Sequence, residues 1–500
     1  MQQVFYNSTR GMEEKVTASY AITQGLAKDG GLFVPDHIPA LEQSMEALGD
    51  MTYQEVAYEV LKRFFTDFTE EELKRCIQGA YDGKFDHKEI APLVKVGDLH
   101  YLELFHGATI AFKDMALSIL PYLMMTAAKK QAIEDEIVIL AATSGDTGKA
   151  ALAGFADVEG TRIVVFYPKD GVSPIQKQQM VTQQGENTYV VGIEGNFDDA
   201  QNGVKRIFAD EAFAARMKAN HKQFSSANSI NIGRLVPQVA YYVYAYSRLV
   251  KAGEVRSGEA VNFAVPTGNF GNILAAYYAK QMGVPVGKLV CASNDNKVLY
   301  DFLRTGVYDR RREFMLTISP SMDILISSNL ERLLYEIAGQ DPGETKRLME
   351  DLQSQGYYEI TPAMKGKLQD FFGAFADEAQ TKAAIAQVFE GEGYLLDPHT
   401  AVAYHACRRY QEETGDRRTM VVVSTASPYK FTASTMEAIG QEYAGQDDFE
   451  LVECMNERSG VPVPKAVTEV LESPVRHKDT CKKEEMPQVV AAFLGLGEVQ

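Results

Sequence analysis

The chain has 500 residues, which at roughly 150 residues per domain predicts about three domains. Its hydrophobic share of 45% and its charged share of 24% are those of an ordinary soluble globular protein. With 50 Lys and Arg against 68 Asp and Glu, the formal net charge of −18 argues against nucleic acid and anionic membrane surfaces as partners.

In chain order, the first hundred residues predict an N-terminal appendage with helices at Gln54 to Phe65 and at Glu70 to Gly79. Six short apolar runs follow, and they predict strands at 137–142, 162–167, 188–193, 261–265, 288–292 and 420–424. Continuous apolar runs separated by helix-length segments indicate buried parallel strands, here in two α/β units with a crevice between them. The spans 199–258 and 320–390 are predicted to be mostly helical.

The five cysteines lie far apart, with no Cys-x-x-Cys pair and no zinc-ligand spacing, so we expect reduced thiols and no metal site. The first ten residues show no basic segment followed by an apolar one. No apolar run approaches the roughly 18 residues that a membrane helix needs. The sequence therefore predicts a cytoplasmic protein with no membrane partner.

Three predicted strands run into loops of glycine, hydroxyl and amide residues, at 143–148, 267–272 and 424–428. Glycine lets the backbone approach a ligand closely, and a helix N-terminus offers unpaired N–H groups and a positive dipole. Each loop alone is also what an ordinary capped helix start contains. Together the loops hold more small polar residues than capping needs, which favours a site for a phosphate or another small anion.

Neither a Walker A loop nor a Gly-x-Gly-x-x-Gly fingerprint is present in these loops, so a single phosphate monoester fits better than a nucleotide. Lys113 lies in the segment 106–114 beside Phe112 and a small apolar run. A half-desolvated lysine has a lowered pKa and can form a Schiff base, although a surface lysine at a helix start is the alternative. A reactive lysine together with a monoester-binding loop favours pyridoxal 5′-phosphate as the cofactor.

The segments 106–114, 143–148 and 267–272 resemble signature segments of threonine synthases, which belong to the fold type II (tryptophan-synthase-β) class of pyridoxal-phosphate enzymes. Similar segments run along nearly the whole chain, at 8–11, 29–35, 167–169, 172–174, 195–199, 229–231, 321–325, 327–332 and 397–402. The resemblance is to the longer form of the family and implies two three-layer α/β domains with a helical N-terminal domain. The implied boundaries are 1–95 for the N-terminal domain, 96–125 and 221–500 for the large cofactor-binding domain, and 126–220 for the small domain.

The resemblance also implies roles for individual residues. Lys113 would form the Schiff base, and the cofactor phosphate would be held by Gly268, Asn269, Phe270, Gly271 and Asn272. Thr425 would face the pyridine nitrogen. Asp146 would lie near the cofactor 3′-oxygen, where an acid beside a phenolate should be protonated or face away. This chain departs from the usual Thr-Ala-His-Pro-x-Lys-Phe segment, because Ser427 replaces the histidine.

The family reaction converts O-phospho-L-homoserine and water into L-threonine and phosphate. Its substrate carries two anionic groups, so a chain of charge −18 needs local donors for them. The candidates are Thr143, Ser144 and Thr147 for the carboxylate, and Lys149, Lys177 and Arg234 for the phosphate. Each cation taken singly is equally compatible with a solvated surface role. His106 and His399 are acid–base candidates for which a structural role is favoured.

Two other functions stay open at this point. One is a threonine-synthase-like lyase that releases phosphate and a 2-keto acid. The other is a non-catalytic binding protein on the same scaffold, against which the intact Lys113 and the three loops argue. The resemblance is compatible with a monomer or a homodimer.

Overall fold

Two β-sheets carry most of the strands of the computed structural model, which describes residues 2–11, 15–143, 145–169, 172 and 174–496. The strands are β1 Tyr6–Ser8, β2 Phe33–Pro35, β3 Leu93–Val96, β4 Leu99–Glu103, β5 Glu136–Ala142, β6 Thr161–Pro168, β7 Thr188–Glu194, β8 Lys222–Ser225, β9 Val261–Pro266, β10 Val286–Ser293, β11 Val307–Asp309, β12 Tyr357–Glu359, β13 Phe371–Phe375, β14 Met420–Ser424 and β15 Thr480–Lys482.

The α-helices are α1 Ala18–Gln24, α2 Met45–Asp50, α3 Tyr53–Phe64, α4 Glu70–Tyr81, α5 Asp114–Leu117, α6 Leu120–Lys130, α7 Asp146–Phe155, α8 Pro174–Val181, α9 Phe197–Ala209, α10 Glu211–Ala219, α11 Ile232–Lys251, α12 Gly271–Gln281, α13 Val298–Thr305, α14 Leu330–Ile337, α15 Pro342–Ser354, α16 Pro362–Gly366, α17 Glu378–Glu392, α18 Pro398–Thr414, α19 Thr432–Ile439, α20 Asp448–Ser459, α21 Lys465–Glu472 and α22 Met486–Leu494. Short 3-10 turns lie at Pro320–Met322, Lys367–Asp370, Pro428–Phe431 and Gln441–Tyr443. Among the described helices, none combines the length and the apolar character that crossing a bilayer requires.

The larger sheet has the strand order β13-β10-β9-β14-β4-β3, and its strands are parallel except for the antiparallel edge strand β3. Alternate side chains enter two different apolar layers. Phe263 and Val265 of β9 join the core that contains α11, whereas Ala264 of β9 joins the core that contains α18. Every residue of β14 is buried, as expected for a strand covered on both faces.

The smaller sheet has the order β15-β7-β6-β5-β8 and is parallel throughout. Ile137 and Ile139 of β5 face the core that contains α11, and Val138 and Leu140 pack on the other side with α9 and α22. The predicted strands of this unit are confirmed as β5, β6 and β7. Both sheets have helices on both faces, which confirms the predicted three-layer α/β fold.

Some strands lie in stretches predicted to be helical. Residues 222–225 form β8, and residues 371–375 form β13 at the edge of the larger sheet. These strands have only four and five residues, too few for a clear pattern in the sequence. Strands β8 and β15 both lie outside 126–220 and yet belong to the smaller sheet. The division of the chain into domains stays a prediction.

The N-terminal region is mainly helical, as predicted, and it also contains the antiparallel strands β1 and β2. Helices α3 and α4 match the predicted pair. Each starts with a capping box, formed by Thr52 with Glu55 and by Thr69 with Glu72. The apolar face of α3 packs against α11, so the N-terminal region shares a core with the α/β part of the chain.

The order of strands in the larger sheet decides which loops meet. Strand β14 lies between β4 and β9 and is parallel to both, so the three carboxyl ends share one edge. From that edge the chain continues to Lys113 after β4, to residues 267–272 after β9 and to Thr425 after β14. The fold therefore gathers segments that are hundreds of residues apart in the sequence.

Candidate active site

Lys113 and Thr425 are brought together by backbone contacts between their two segments. The Phe112 N–H donates to the Thr425 carbonyl at 2.8 Å, and the Ser427 N–H donates to the Ile110 carbonyl at 3.0 Å. An isolated antiparallel bridge joins the same two segments at residues 111 and 426. Lys113 stands directly before α5, at the edge where β4 and β14 end.

The amine of Lys113 is largely enclosed, with 12% of its side chain exposed. Its Nζ donates to Ser321 Oγ at 3.0 Å and lies 3.4 Å from Asp146 Oδ2. Burial lowers the pKa of Lys113, and it outweighs the negative charge of Asp146, which acts in the opposite direction. The positive charges of Lys430 and Arg234 lower the pKa further. A lysine with a lowered pKa is more often neutral at working pH, which makes it a better nucleophile and base.

Asp146 begins α7 and faces Lys113 across the site. Its carboxylate accepts from Gln176 Nε2 at 2.8 Å and from Ser321 Oγ at 2.7 Å, and it lies 3.3 Å from Lys430 Nζ. Burial alone would raise the pKa of Asp146, but Lys430 and Lys113 hold it well below its usual range. From the resemblance, Asp146 was expected to be protonated or to face away from a phenolate. That expectation did not include Lys430, which supplies a positive charge beside the Asp146 carboxylate.

Lys430 was missed by the sequence analysis. Its side chain has no exposed surface, and its Nζ donates to the Thr109 carbonyl at 3.1 Å and to Gln179 Oε1 at 2.8 Å. A signal was present, because Lys430 lies between Tyr429 and Phe431 just as Lys113 lies beside an aromatic residue. A lysine that lies between two aromatic residues and next to a polar loop is a candidate for a buried site residue.

Ser321 was also missed, and it lies on the 3-10 turn Pro320–Met322. Its backbone N–H donates to His399 Nε2 at 3.2 Å, and His399 Nδ1 is 2.8 Å from Asp397 Oδ2. Because Nε2 accepts, the ring proton belongs on Nδ1, where it is donated to Asp397. Both ring nitrogens of His399 are thus engaged in holding the Ser321 turn beside Lys113.

His106 also has both ring nitrogens engaged. Nδ1 is 2.8 Å from Asp86 and Nε2 is 2.8 Å from Glu103. Burial favours the neutral ring, but the two carboxylates outweigh it and raise the pKa of His106 to about 9. A charged, doubly paired imidazole stabilises the loop after β4, and the site geometry gives it no contact with Lys113.

The loop at 267–272 links β9 to α12 and is braced from behind. Ser327 Oγ donates to the Gly268 carbonyl at 2.7 Å, and the Asn329 N–H donates to the Asn269 carbonyl at 3.0 Å. Phe270 takes a left-handed conformation with φ of +64°, which starts α12 without a side-chain cap. The loop therefore leaves the N-terminus of an 11-residue helix to be satisfied by something else.

The structure of this loop suits the binding of a phosphate monoester. Asn272 is 6% exposed, and its Nδ2 has no hydrogen-bond partner among the described residues. A buried amide donor at a helix N-terminus calls for an anionic acceptor. The loop also touches the lysine site, because a Cβ on Gly268 would lie 2.6 Å from the carbonyl oxygen of Ser321.

Thr143 shapes the turn of the 143–148 loop. Its Oγ1 accepts from the Gly145 and Gly148 N–H groups, both at 3.0 Å. Thr143 therefore satisfies N–H groups at a helix start, which is the role that the sequence analysis gave as the alternative to ligand binding. Of its hydroxyl, only the proton is left to bond a ligand. Thr147 is half-buried, and Ser144 lies outside the described residues.

The three predicted cations differ in their surroundings. Lys149 is buried and donates to Gln183 Oε1, and burial together with the charge of Lys430 lowers its pKa to about 7. Arg234 is buried and donates from Nη1 to a backbone carbonyl, and burial lowers its pKa to about 10. Lys177 is half-buried, and its Nζ is 3.4 Å from the Lys169 carbonyl.

Ser427 occupies the position where an imidazole was expected from the resemblance. Its Oγ accepts from the Tyr429 N–H at 3.3 Å and so caps the 3-10 turn Pro428–Phe431. The side chain is buried. At this point the chain has a capping hydroxyl and no acid–base group.

Comparison with known families gives matches over most of the chain. Residues 5–81 match the family described as threonine synthase N terminus, residues 88–426 match pyridoxal-phosphate dependent enzyme, and residues 400–491 match threonine synthase, C-terminal.

Individual relatives are similar over most of the chain. Threonine synthase-like 1 of Macaca fascicularis is 43% identical over 443 residues, which are 85% of this chain and 59% of that protein. The chain thus spans less than two thirds of that relative. Threonine synthase of Eremothecium gossypii is 36% identical, over 92% of this chain and 93% of that protein. The structure of the pyridoxal-phosphate-bound threonine synthase of Brucella melitensis matches with a TM-score of 0.86 and 35% identity, over 98% of this chain and 99% of that one.

Proposed function

The chain belongs to the threonine synthase family of pyridoxal-phosphate-dependent enzymes, and on this premise we propose that it converts O-phospho-L-homoserine and water into L-threonine and phosphate. The observation that carries the proposal is the enclosed amine of Lys113 between Ser321 and Asp146. A lysine in this setting is suited to covalent attachment of an aldehyde and to repeated proton transfer.

The residues that would hold the cofactor follow from the site. Lys113 would bond the aldehyde carbon, the loop Gly268–Asn272 would bind the phosphate, and Thr425 would face the pyridine nitrogen. Asp146 would remain near the 3′-oxygen, with Lys430 balancing its charge. When bound, the cofactor supplies an electron-withdrawing ring that stabilises negative charge on the substrate's carbon atoms.

The chain's own groups would move and hold the protons. The Nζ of Lys113 accepts a proton in its neutral form, which its lowered pKa makes more available, and returns it in its charged form. Ser321 Oγ, 3.0 Å from Nζ and 2.7 Å from Asp146, keeps the amine at a fixed place between these transfers. The enclosed surroundings exclude bulk water from the amine.

Two groups of residues would bind the substrate's anionic ends. The turn around Thr143, Ser144 and Thr147 would take the carboxylate at the start of α7. Lys149 and Arg234, which are buried cations, would take the phosphate, with Lys177 as a further candidate. Binding a dianion would favour the protonated form of Lys149 and so draw its pKa upward from about 7.

A second activity is compatible with the comparisons and with Ser427. The identity of 43% to a protein named threonine synthase-like 1 exceeds the 36% to a named threonine synthase. The chain also lacks the imidazole expected at Ser427. The alternative is a lyase that converts the same substrate and water into 2-oxobutyrate, ammonia and phosphate.

Product analysis separates the two activities. The cofactor-loaded protein is supplied with O-phospho-L-homoserine, and threonine, 2-oxobutyrate and phosphate are each measured. Threonine equal to the phosphate released supports the proposal, and 2-oxobutyrate equal to phosphate supports the alternative. Lys113→Ala should lose the visible absorbance of the bound cofactor and at least about 10²-fold of the turnover. Lys382→Ala, at a half-buried ion pair with Glu437, is the matched control and should retain both. No phosphate release by the parent would contradict both activities.

A further inference from the structure

Two neighbouring tyrosines of α11 converge on one atom of the 267–272 loop. Tyr241 Oη and Tyr242 Oη each donate to Asn272 Oδ1, and both distances are 2.6 Å. Distances this short are typical of O–H···O bonds and shorter than most N–H···O bonds, so the amide oxygen is the atom that faces the phenols. Both tyrosines have no exposed surface.

Consecutive helical residues do not usually point to the same place, so this convergence requires a particular arrangement. The two rings lie against each other with centroids 4.8 Å apart and planes tilted by 49°. Gln238 Oε1 also lies 3.0 Å from Tyr241 Oη, but a phenol has a single proton and the shorter contact to Asn272 takes it. Burial raises the pKa of each phenol well above the usual value for tyrosine, so both remain protonated and act as hydrogen-bond donors.

The phenols determine which way the Asn272 amide points. With its oxygen occupied by two donors, the amide presents its Nδ2 on the opposite side, where it is buried without a partner among the described residues. An unpaired buried donor is unfavourable, and here it lies at the second residue of α12. In the reverse orientation the amide oxygen would meet any anion bound there and repel it.

We propose that Tyr241 and Tyr242 are positioning residues that fix the Asn272 amide with its N–H groups toward the cofactor phosphate. The inference rests on the proposed function, in which the Gly268–Asn272 loop binds that phosphate. The two phenols act only through Asn272. They therefore select for a ligand that presents acceptor oxygens, as a phosphate monoester does.

The test compares two ligands that differ only in the phosphate. The 500-residue chain freed of cofactor is titrated with pyridoxal 5′-phosphate and, separately, with pyridoxal, and both dissociation constants are measured by visible absorbance. The variants are Tyr241→Phe, Tyr242→Phe, the double variant and Asn272→Ala. Tyr278→Phe on α12 is the matched control, because this phenol is equally buried but has no hydrogen-bond partner among the described residues.

The double variant should bind pyridoxal 5′-phosphate at least tenfold more weakly and pyridoxal within twofold of the parent. Asn272→Ala should show the same pattern, and adding the tyrosine substitutions to it should weaken binding no further. The ³¹P signal of the bound phosphate should shift in the double variant and stay in place in Tyr278→Phe.

Parent-like affinity of the double variant for pyridoxal 5′-phosphate would overturn the inference, as would an equal loss for both ligands, which indicates general damage to the fold. A parent that binds pyridoxal 5′-phosphate no better than pyridoxal would instead overturn the phosphate-loop assignment of the proposed function.

Discussion

Removing the charge of Lys430 should destabilise the protein strongly, because it removes the nearer of the two lysines that balance the buried carboxylate of Asp146. The pair is separated by 3.3 Å, and the exposed fractions of the two side chains are 0% and 7%. At that distance and an effective dielectric constant of about 20, the attraction is about 5 kcal/mol. Breaking a buried pair by deleting one partner typically costs about 3–5 kcal/mol, and we expect Lys430→Met to fall in that range.

The control for this prediction is the removal of both charges. Asp146→Asn in the Lys430→Met background should restore part of the lost stability, since the buried carboxylate that Lys430 balanced is then gone. Lys382→Met, which breaks an ion pair with both side chains about one third exposed, should cost less than about 1 kcal/mol.

The measurement is urea unfolding followed by far-UV circular dichroism, because the chain has no tryptophan. The reasoning is refuted if Lys430→Met loses less than about 1 kcal/mol in the free energy of unfolding. It is equally refuted if the double variant is no more stable than Lys430→Met.

Three more perturbations test other parts of the site. A Cβ on Gly268 would lie 2.6 Å from the Ser321 carbonyl oxygen, whereas a Cβ on Gly271 keeps 3.4 Å from its nearest neighbour. Gly268→Ala should therefore release the cofactor on dialysis faster than Gly271→Ala does, and equal retention would contradict the steric argument. Because burial holds the pKa of Lys149 at about 7, its charge is lost as pH rises through 7, and KM for phosphohomoserine should rise severalfold between pH 6 and pH 8. Lys149→Gln should remove that pH dependence and raise KM about tenfold at pH 6; an unchanged KM would exclude Lys149 from the substrate site. The pKa of His106 is about 9 in the folded protein, compared with roughly 6.5 in the unfolded chain. Its ion pairs therefore stabilise the folded state fully below pH 6.5, and this stabilisation is lost as pH rises through 9. His106→Gln should lose up to about 3 kcal/mol in urea unfolding at pH 6 and little at pH 10, and a loss independent of pH would show that the charge is not responsible.

Much of the fold was predictable because its signals are local. The strand at 137–142 is a run of apolar residues followed at once by glycine and hydroxyl residues, and the structure has it as β5, Glu136–Ala142. The helices at 54–65 and 70–79 could be placed because their capping residues and apolar spacing lie within a few turns. Strands β8 and β15 were missed, because four and three residues carry too little pattern and depend on their partners in the sheet.

The candidate site also has features that local sequence predicts and features that depend on tertiary contacts. The sequence by itself determined that Lys113 follows Phe112 and a short apolar run and that residues 267–272 form a polar loop before a helix, since both depend only on neighbouring residues. Only the tertiary structure decided that Ser321, which is 208 positions away, contacts the Lys113 amine, and that Lys430 balances Asp146. Those contacts depend on which strands are neighbours in the sheet and on how its loops meet α7 across the crevice. Because side-chain convergence of this kind is a property of packing, no local pattern along the chain encodes it.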